Sequence, residues 1–270
     1  MQLAEVDVQN GIATVTFNNP PRGYMNHAQV QAVDVIIDRL LADADVRVVV
    51  FTGGVPGVFV RHYDVSEILT SLEIIKRKQY SHEELIERAK KNTPVSALFD
   101  KIDLMPKPTI AAINGFAQGG GFELCLCCDI RIAEEGDYLI GLPEVNIGIF
   151  PGAGGTERLP RLIGEAKALE FILRGRTVPP RQAHALGLVH ECVSKGESLQ
   201  RAMAVAEEFL KRPAAGLAAA KAAVKGSAER PLAAAVMASR ARFNLLLAED
   251  LDAGKAMRRF LDTGEDINLI

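Results

Sequence analysis

Residues 107–156 read KPTIAAINGFAQGGGFELCLCCDIRIAEEGDYLIGLPEVNIGIFPGAGGT, and the rest of the chain is organised around them. Pro108 opens a short apolar run, 109–113, whose length and composition predict a buried strand ended by the turn pair Asn114-Gly115. Gly119, Gly120 and Gly121 then leave main-chain N–H groups unshielded where the apolar run 122–128 starts a helix. Donors fixed at the positive end of a helix suit a carbonyl oxygen that gains negative charge during a reaction. Glu123 sits among Phe122, Leu124, Cys125 and Leu126, so its carboxylate faces an apolar interior. It is either neutralised by Arg131 as a structural ion pair or raised in pKa and used as an acid or base. Glu144 follows Pro143 after a strand-like run, 138–142, and is either a first-turn glutamate favoured by a helix dipole or a second catalytic carboxylate.

Several of these pieces occur together and in order: Lys107-Pro108, 111–115, the triple glycine with Glu123, Cys128-Asp129, Pro143-Glu144, 151–156 and Arg158-Leu159. In this the chain resembles the enoyl-CoA hydratase/isomerase (crotonase) superfamily, over about residues 6–260. The resemblance implies an α/β fold of stacked β-β-α units with a C-terminal helical region. Residues 1–195 would form the core with the CoA and acyl site, and 196–270 a helical oligomerisation region, assembled as a homo-trimer or hexamer. It implies an acyl-CoA substrate, with Glu123 and Glu144 as the catalytic pair and the backbone N–H groups of Tyr63 and Gly120 as the oxyanion hole. Gly152 would position the water through its backbone, and Arg22 and Phe260 would lie at the CoA. Hydration of an enoyl-CoA to a 3-hydroxyacyl-CoA is the leading reading. An isomerase, decarboxylase or C–C lyase on the same hole, a CoA-thioester binding protein and an RNA-associated scaffold are the alternatives.

Composition is consistent with one domain and an appended element, because 270 residues that are 48% hydrophobic can bury a substantial core. A net charge of −3 gives no basic footprint for nucleic acid. The start of the sequence has no basic, then apolar, signal pattern, and no run has the length and apolarity of a membrane span, so a cytoplasmic protein is expected. Cys125 and Cys128 make one Cys-x-x-Cys without a second pair or histidines at ligand spacing, so no metal is expected; these thiols read as small buried hydrophobes. Residues 152–156 lack the lysine of a phosphate-binding loop, and neither glycine cluster spells a dinucleotide fingerprint. No cofactor is expected beyond the CoA carried by the substrate.

Taken in order, 3–8 and 12–17 predict a hairpin turning at Asn10-Gly11, and a helix is expected over 27–44. The β-branched run 48–52 reads as a strand buried on both faces. Where the family usually carries Gly-Ala-Asp, this chain has His62-Tyr63-Asp64. A left-handed backbone at His62 would cost about 1 kcal/mol, and the imidazole and phenol either reshape the acyl pocket or point to solvent. Arg22 is either an exposed loop arginine or a CoA contact. Residues 66–100 read as charged, irregular and poor core material, with a capping box at Ser81 and Glu84 opening a solvated surface helix; by resemblance they border the acyl chain. Helices follow over 157–162, 165–173 and 181–185, with an edge strand at 187–190. From Ser198 the pattern is helical and rich in exposed apolar positions, as an oligomer contact would be. Residues 261–265, LDTGE, replace the family's basic stretch.

Overall fold

The computed structural model describes residues 2–228 and 230–264. Glu265, the last residue of the LDTGE replacement, and the end of the expected 196–270 region lie outside the described residues.

The chain opens as a hairpin, β1 (Ala4–Gln9) antiparallel to β2 (Ile12–Phe17). Asn10 and Gly11 both take positive φ, as a two-residue turn of this hand requires. Helix α1 (His27–Ala42) starts at Asn26, whose side chain accepts the Gln29 N–H, and β3 (Val48–Gly53) returns parallel to β2. Next come β4 (Val58–Val60), three helices, α2 (Val65–Lys78), α3 (His82–Ala89) and α4 (Pro94–Asp103), then β5 (Thr109–Ile113) and β6 (Phe116–Gln118). Helix α5 (Gly120–Cys127) leads to β7 (Ile130–Glu134), β8 (Ile140–Gly141) and a 3-10 turn at Glu144–Ile147. Helices α6 (Gly155–Ile163) and α7 (Glu165–Leu173), β9 (Thr177–Val178), α8 (Pro180–Ala185) and β10 (Glu191–Val193) complete the mixed part. Four helices end the chain: α9 (Ser198–Leu210), α10 (Ala214–Ser227), α11 (Leu232–Glu249) and α12 (Leu251–Thr263).

Six strands form one sheet in the order β1-β2-β3-β5-β7-β10, parallel beyond the first hairpin, and β4-β6-β8-β9 form a second. Each successive pair, β3 with β4, β5 with β6 and β7 with β8, gives one strand to each sheet before a helical stretch. This is the stacked β-β-α arrangement. The central strands of the larger sheet are buried on both faces, and their alternation shows how. Val15, Val49, Phe51, Ala111 and Ile113 join the main core, while Ile12, Val48, Val50, Ile110 and Ala112 face Ala202, Val205 and Ala206 of α9. Helix α9 is therefore packed on the sheet, although it lies within the 196–270 region.

Two expectations are corrected. Residues 66–100 hold α2 and most of α4 besides the helix expected at Ser81, and so are not irregular; α2 and α3 bury no side chain, which explains their solvated sequence, but α4 buries Leu98, Phe99 and Ile102 completely. The edge strand is β10, not 187–190, which form turns that bury Leu188 and Val189 and donate the His190 N–H to Arg131. The capping box at Ser81 and Glu84 is present.

Candidate active site

The triple glycine places a helix start against a second backbone segment. Gly119 adopts φ +52° and ψ −129°, a region essentially confined to glycine, and so turns β6 directly into α5. A Cβ on Gly121 would stand 1.9 Å from the carbonyl oxygen of Val60, so α5 can approach β4 this closely only with glycine there. Gly120, between them, faces Tyr63: a Cβ on it would lie 3.4 Å from the Tyr63 backbone nitrogen.

The Tyr63 segment is held from its other edge. Met25 N–H donates to His62 O at 2.8 Å and Asp64 N–H donates to Met25 O at 2.7 Å, leaving the Tyr63 N–H on the side away from Met25. Among the described residues, neither the Tyr63 nor the Gly120 N–H donates to a protein acceptor. His62 has no positive φ, so the conditional strain is absent. Nor do the two side chains simply point to solvent. The His62 ring stacks on Tyr24 at 4.2 Å, and its Nδ1 donates to Tyr63 O at 2.7 Å, which fixes the tautomer because a carbonyl can only accept. The Tyr63 phenol donates to Glu67 at 2.7 Å, and burial together with the Glu67 carboxylate pushes its pKa up.

Glu123 lies in the first turn of α5 and is 3% exposed. Its Oε1 accepts the N–H groups of Ala153 and Gly155, both at 2.8 Å. Burial raises its pKa, opposed by these two hydrogen bonds. The alternative pairing with Arg131 is overturned: that guanidinium donates to the carbonyls of Cys125, Cys128 and Leu188. It thus satisfies the C-terminal end of α5, opposite the end that carries Glu123. Arg158, quoted in the sequence only as part of a motif, supports the loop that holds Glu123. It donates to Ala153 O at 3.1 Å and pairs with Asp103 at 2.7 Å and Asp100 at 3.0 Å. Its position directly after a glycine-rich loop was the only available signal.

Glu144 is the first residue of the 3-10 turn, and its Oε1 lies 3.1 Å from where a Gly119 Cβ would be. Its Oε2 is buried without a hydrogen-bond partner. Burial and the Glu123 charge raise its pKa to about 7. Two neighbouring carboxyls in unlike surroundings, one anchored by two N–H donors and one with an unpartnered oxygen, are suited to serve as a base and an acid together.

Other residues singled out from sequence lie further out. Gly152 is exposed, and its N–H has no acceptor among the described residues. Arg22 is exposed, with its guanidinium 5.8 Å from the Tyr24 ring centroid, at the outer end of a stack that continues to His62. Phe260 lies on α12, which packs on α11; among the described residues, no hydrogen bond or ring contact joins it to the glutamates. No cluster of three or more His, Cys, Asp or Glu side chains fit for a metal occurs among the described residues.

The sequence pattern of the enoyl-CoA hydratase/isomerase family matches residues 7–266. The chain belongs to that family. It is 37% identical over 231 residues to human enoyl-CoA hydratase domain-containing protein 2, mitochondrial, covering 83% of this chain and 74% of that one. It is also 37% identical to a probable enoyl-CoA hydratase of Bacillus subtilis (strain 168), over 78% of each chain. The crystal structure of an enoyl-CoA hydratase from Bacillus anthracis superposes with a TM-score of 0.83 at 28% identity, covering 97% of both chains. Family membership, an enzyme family, and the fold are thereby shown, and no helix among the described residues is long and apolar enough to cross a membrane.

Proposed function

We propose that this member of the enoyl-CoA hydratase/isomerase family adds water to an enoyl-CoA thioester, giving a 3-hydroxyacyl-CoA. The observation that carries this reading is the paired environment of Glu123 and Glu144 beside two unengaged backbone donors. The thioester carbonyl takes the N–H groups of Tyr63 and Gly120, which stabilise the enolate oxygen that forms when water adds at the β-carbon. Glu123, anchored through Oε1, takes a proton from the water. Glu144, whose pKa of about 7 leaves much of it protonated at neutral pH, gives one to the α-carbon. Proton exchange between the two carboxyls, directly or through solvent, then restores the starting state. The exposed Gly152 N–H helps to place the water, and Arg22 and Phe260 contact the CoA. No further cofactor enters the reaction.

The unpartnered Glu144 also favours a second reading, an isomerase in which this one carboxyl shuttles the proton. Glutamine keeps the size of glutamate but carries no proton, so it separates the two. Glu123→Gln and Glu144→Gln should each lower enoyl-CoA hydration by at least about a hundredfold, with little change in thioester binding measured by calorimetry. Full hydration by Glu123→Gln, with loss in Glu144→Gln, would transfer the assignment to the isomerase. The assembly proposed is a homo-trimer or hexamer, and the proposed location is cytoplasmic.

A further inference from the structure

Two groups beside the oxyanion hole take no part in the chemistry above: the phenol of Tyr63 and the carboxylate of Glu67. The phenol donates to Glu67 Oε2 at 2.7 Å, and the same oxygen accepts the backbone N–H of His27 at 2.9 Å. His27 opens α1, Glu67 lies in the first turn of α2, and Tyr63 stands immediately before Asp64, the N-cap of α2. One carboxylate oxygen therefore joins the starts of two helices to the residue whose N–H faces the reaction site. Burial, with the Glu67 and Asp64 charges beside it, keeps the phenol protonated, so it stays a donor.

This joint carries weight because α2 buries none of its residues and neither does α3 after it. Along its backbone edge Tyr63 is fixed by Met25, which sets the plane of the donor peptide. Its side chain is fixed by Glu67, which resists a shift of residue 63 relative to Gly120. We propose that Glu67, acting through the Tyr63 phenol, is a positioning residue of the oxyanion hole. The inference rests on the hydratase reading. The alanine usual in the family at this place has no phenol to be held, so the device belongs to this chain's own replacement of that residue.

The test uses the full-length chain as wild type, Tyr63→Phe, Glu67→Ala, Glu67→Gln and the double variant Tyr63→Phe/Glu67→Ala. Two quantities are read: kcat and KM for enoyl-CoA hydration, and the infrared carbonyl stretch of a bound enoyl-CoA thioester, which reports how strongly the hole polarises it. Tyr63→Phe and Glu67→Ala should each lower kcat about tenfold, because small displacements of a catalytic donor are costly, with KM changed by less than about twofold. In both, the stretch should move back toward its value in free solution. Glu67→Gln should retain most activity, since its amide oxygen can accept the same two hydrogen bonds. The double variant should be no slower than Glu67→Ala, because both changes break one contact. Wild-type kcat and an unshifted stretch in Tyr63→Phe would overturn the inference, as would losses that multiply in the double variant. Tyr63→Phe removes a single oxygen and carries the test if Glu67→Ala does not fold. A wild-type spectrum without carbonyl polarisation would remove the oxyanion hole itself, and with it the hydratase reading; polarisation that the variants leave intact removes only the role of Glu67.

Discussion

Glu144 combines a buried, unpartnered oxygen with a pKa raised from the ordinary 4.5 to about 7, chiefly by burial. The folded state therefore prefers the protonated form. This favourable contribution is complete below pH 4.5 and is lost as the pH rises through about 7. Over that interval the loss amounts to up to about 3 kcal/mol. Glu144→Gln cannot ionise, so it should be more stable than wild type at pH 8 by about 2–3 kcal/mol and equal to it near pH 4. Thermal unfolding at a series of pH values would measure this, and equal stability throughout would show that the carboxyl carries no such strain. In the proposed hydration the same proton is the one given to the substrate. Accordingly kcat/KM should fall on the alkaline side as Glu144 ionises, with a midpoint near 7. On the acid side it should fall as Glu123 takes up a proton. An alkaline limb displaced to pH 9 would reassign the acid.

At the scale of elements, the proposed oxyanion hole depends on how closely α5 can lie against β4. Gly121→Ala would bring a methyl group to 1.9 Å from the Val60 carbonyl, so helix and strand must separate. We expect a loss of several kcal/mol in stability and activity below detection, because Gly120 moves with the helix; a crystal structure of the variant with Gly120 and Tyr63 in place would contradict this. The sequence shows this element through the triple glycine taken with the ordered pieces around it, since a triple glycine alone would be weak evidence. Strands β2, β3 and β5 were equally legible from their β-branched and alternating residues. By contrast, β9 is two residues and β6 is three, too short for any periodicity to register, and of the strand-like run 138–142 only Ile140–Gly141 is a strand. Helix α2 escaped for a different reason: with no buried face, its sequence shows only solvation, whereas α3, equally solvated, was marked by its capping box. The site was legible as residue types, but not as partners. Nothing in the spacing told that Glu123 would find the Ala153 and Gly155 amides rather than Arg131, since that depends on a loop folding back over α5.

For the molecule as a whole, α9 is packed on the sheet by apolar side chains, whereas α10 is tied to the core by charge and the helices beyond it leave apolar surface uncovered. Lys221 pairs with Asp129 at 2.7 Å and Lys225 with Asp103, fixing α10 against the body of the chain. Beyond it, α11 carries apolar residues around its circumference, a pattern expected of a helix enclosed by protein, yet Ala235 is its only buried residue. Met237, Phe243 and Leu245 are 70%, 59% and 57% exposed. Burying side chains of this size is worth about 1.5–3 kcal/mol each, so copies of the chain gain by covering them for one another. The proposed trimer or hexamer follows from that balance. Sedimentation velocity at micromolar concentration should find it, and Phe243→Asp with Leu245→Asp should shift the population to monomer, because a charge in the contact must be desolvated without a partner. Since α11 stands outside both sheets, the dissociated variant should keep the native circular dichroism spectrum. A monomeric wild type would mean that this face has another occupant, and an unchanged oligomer in the double variant would place the contact elsewhere on the chain.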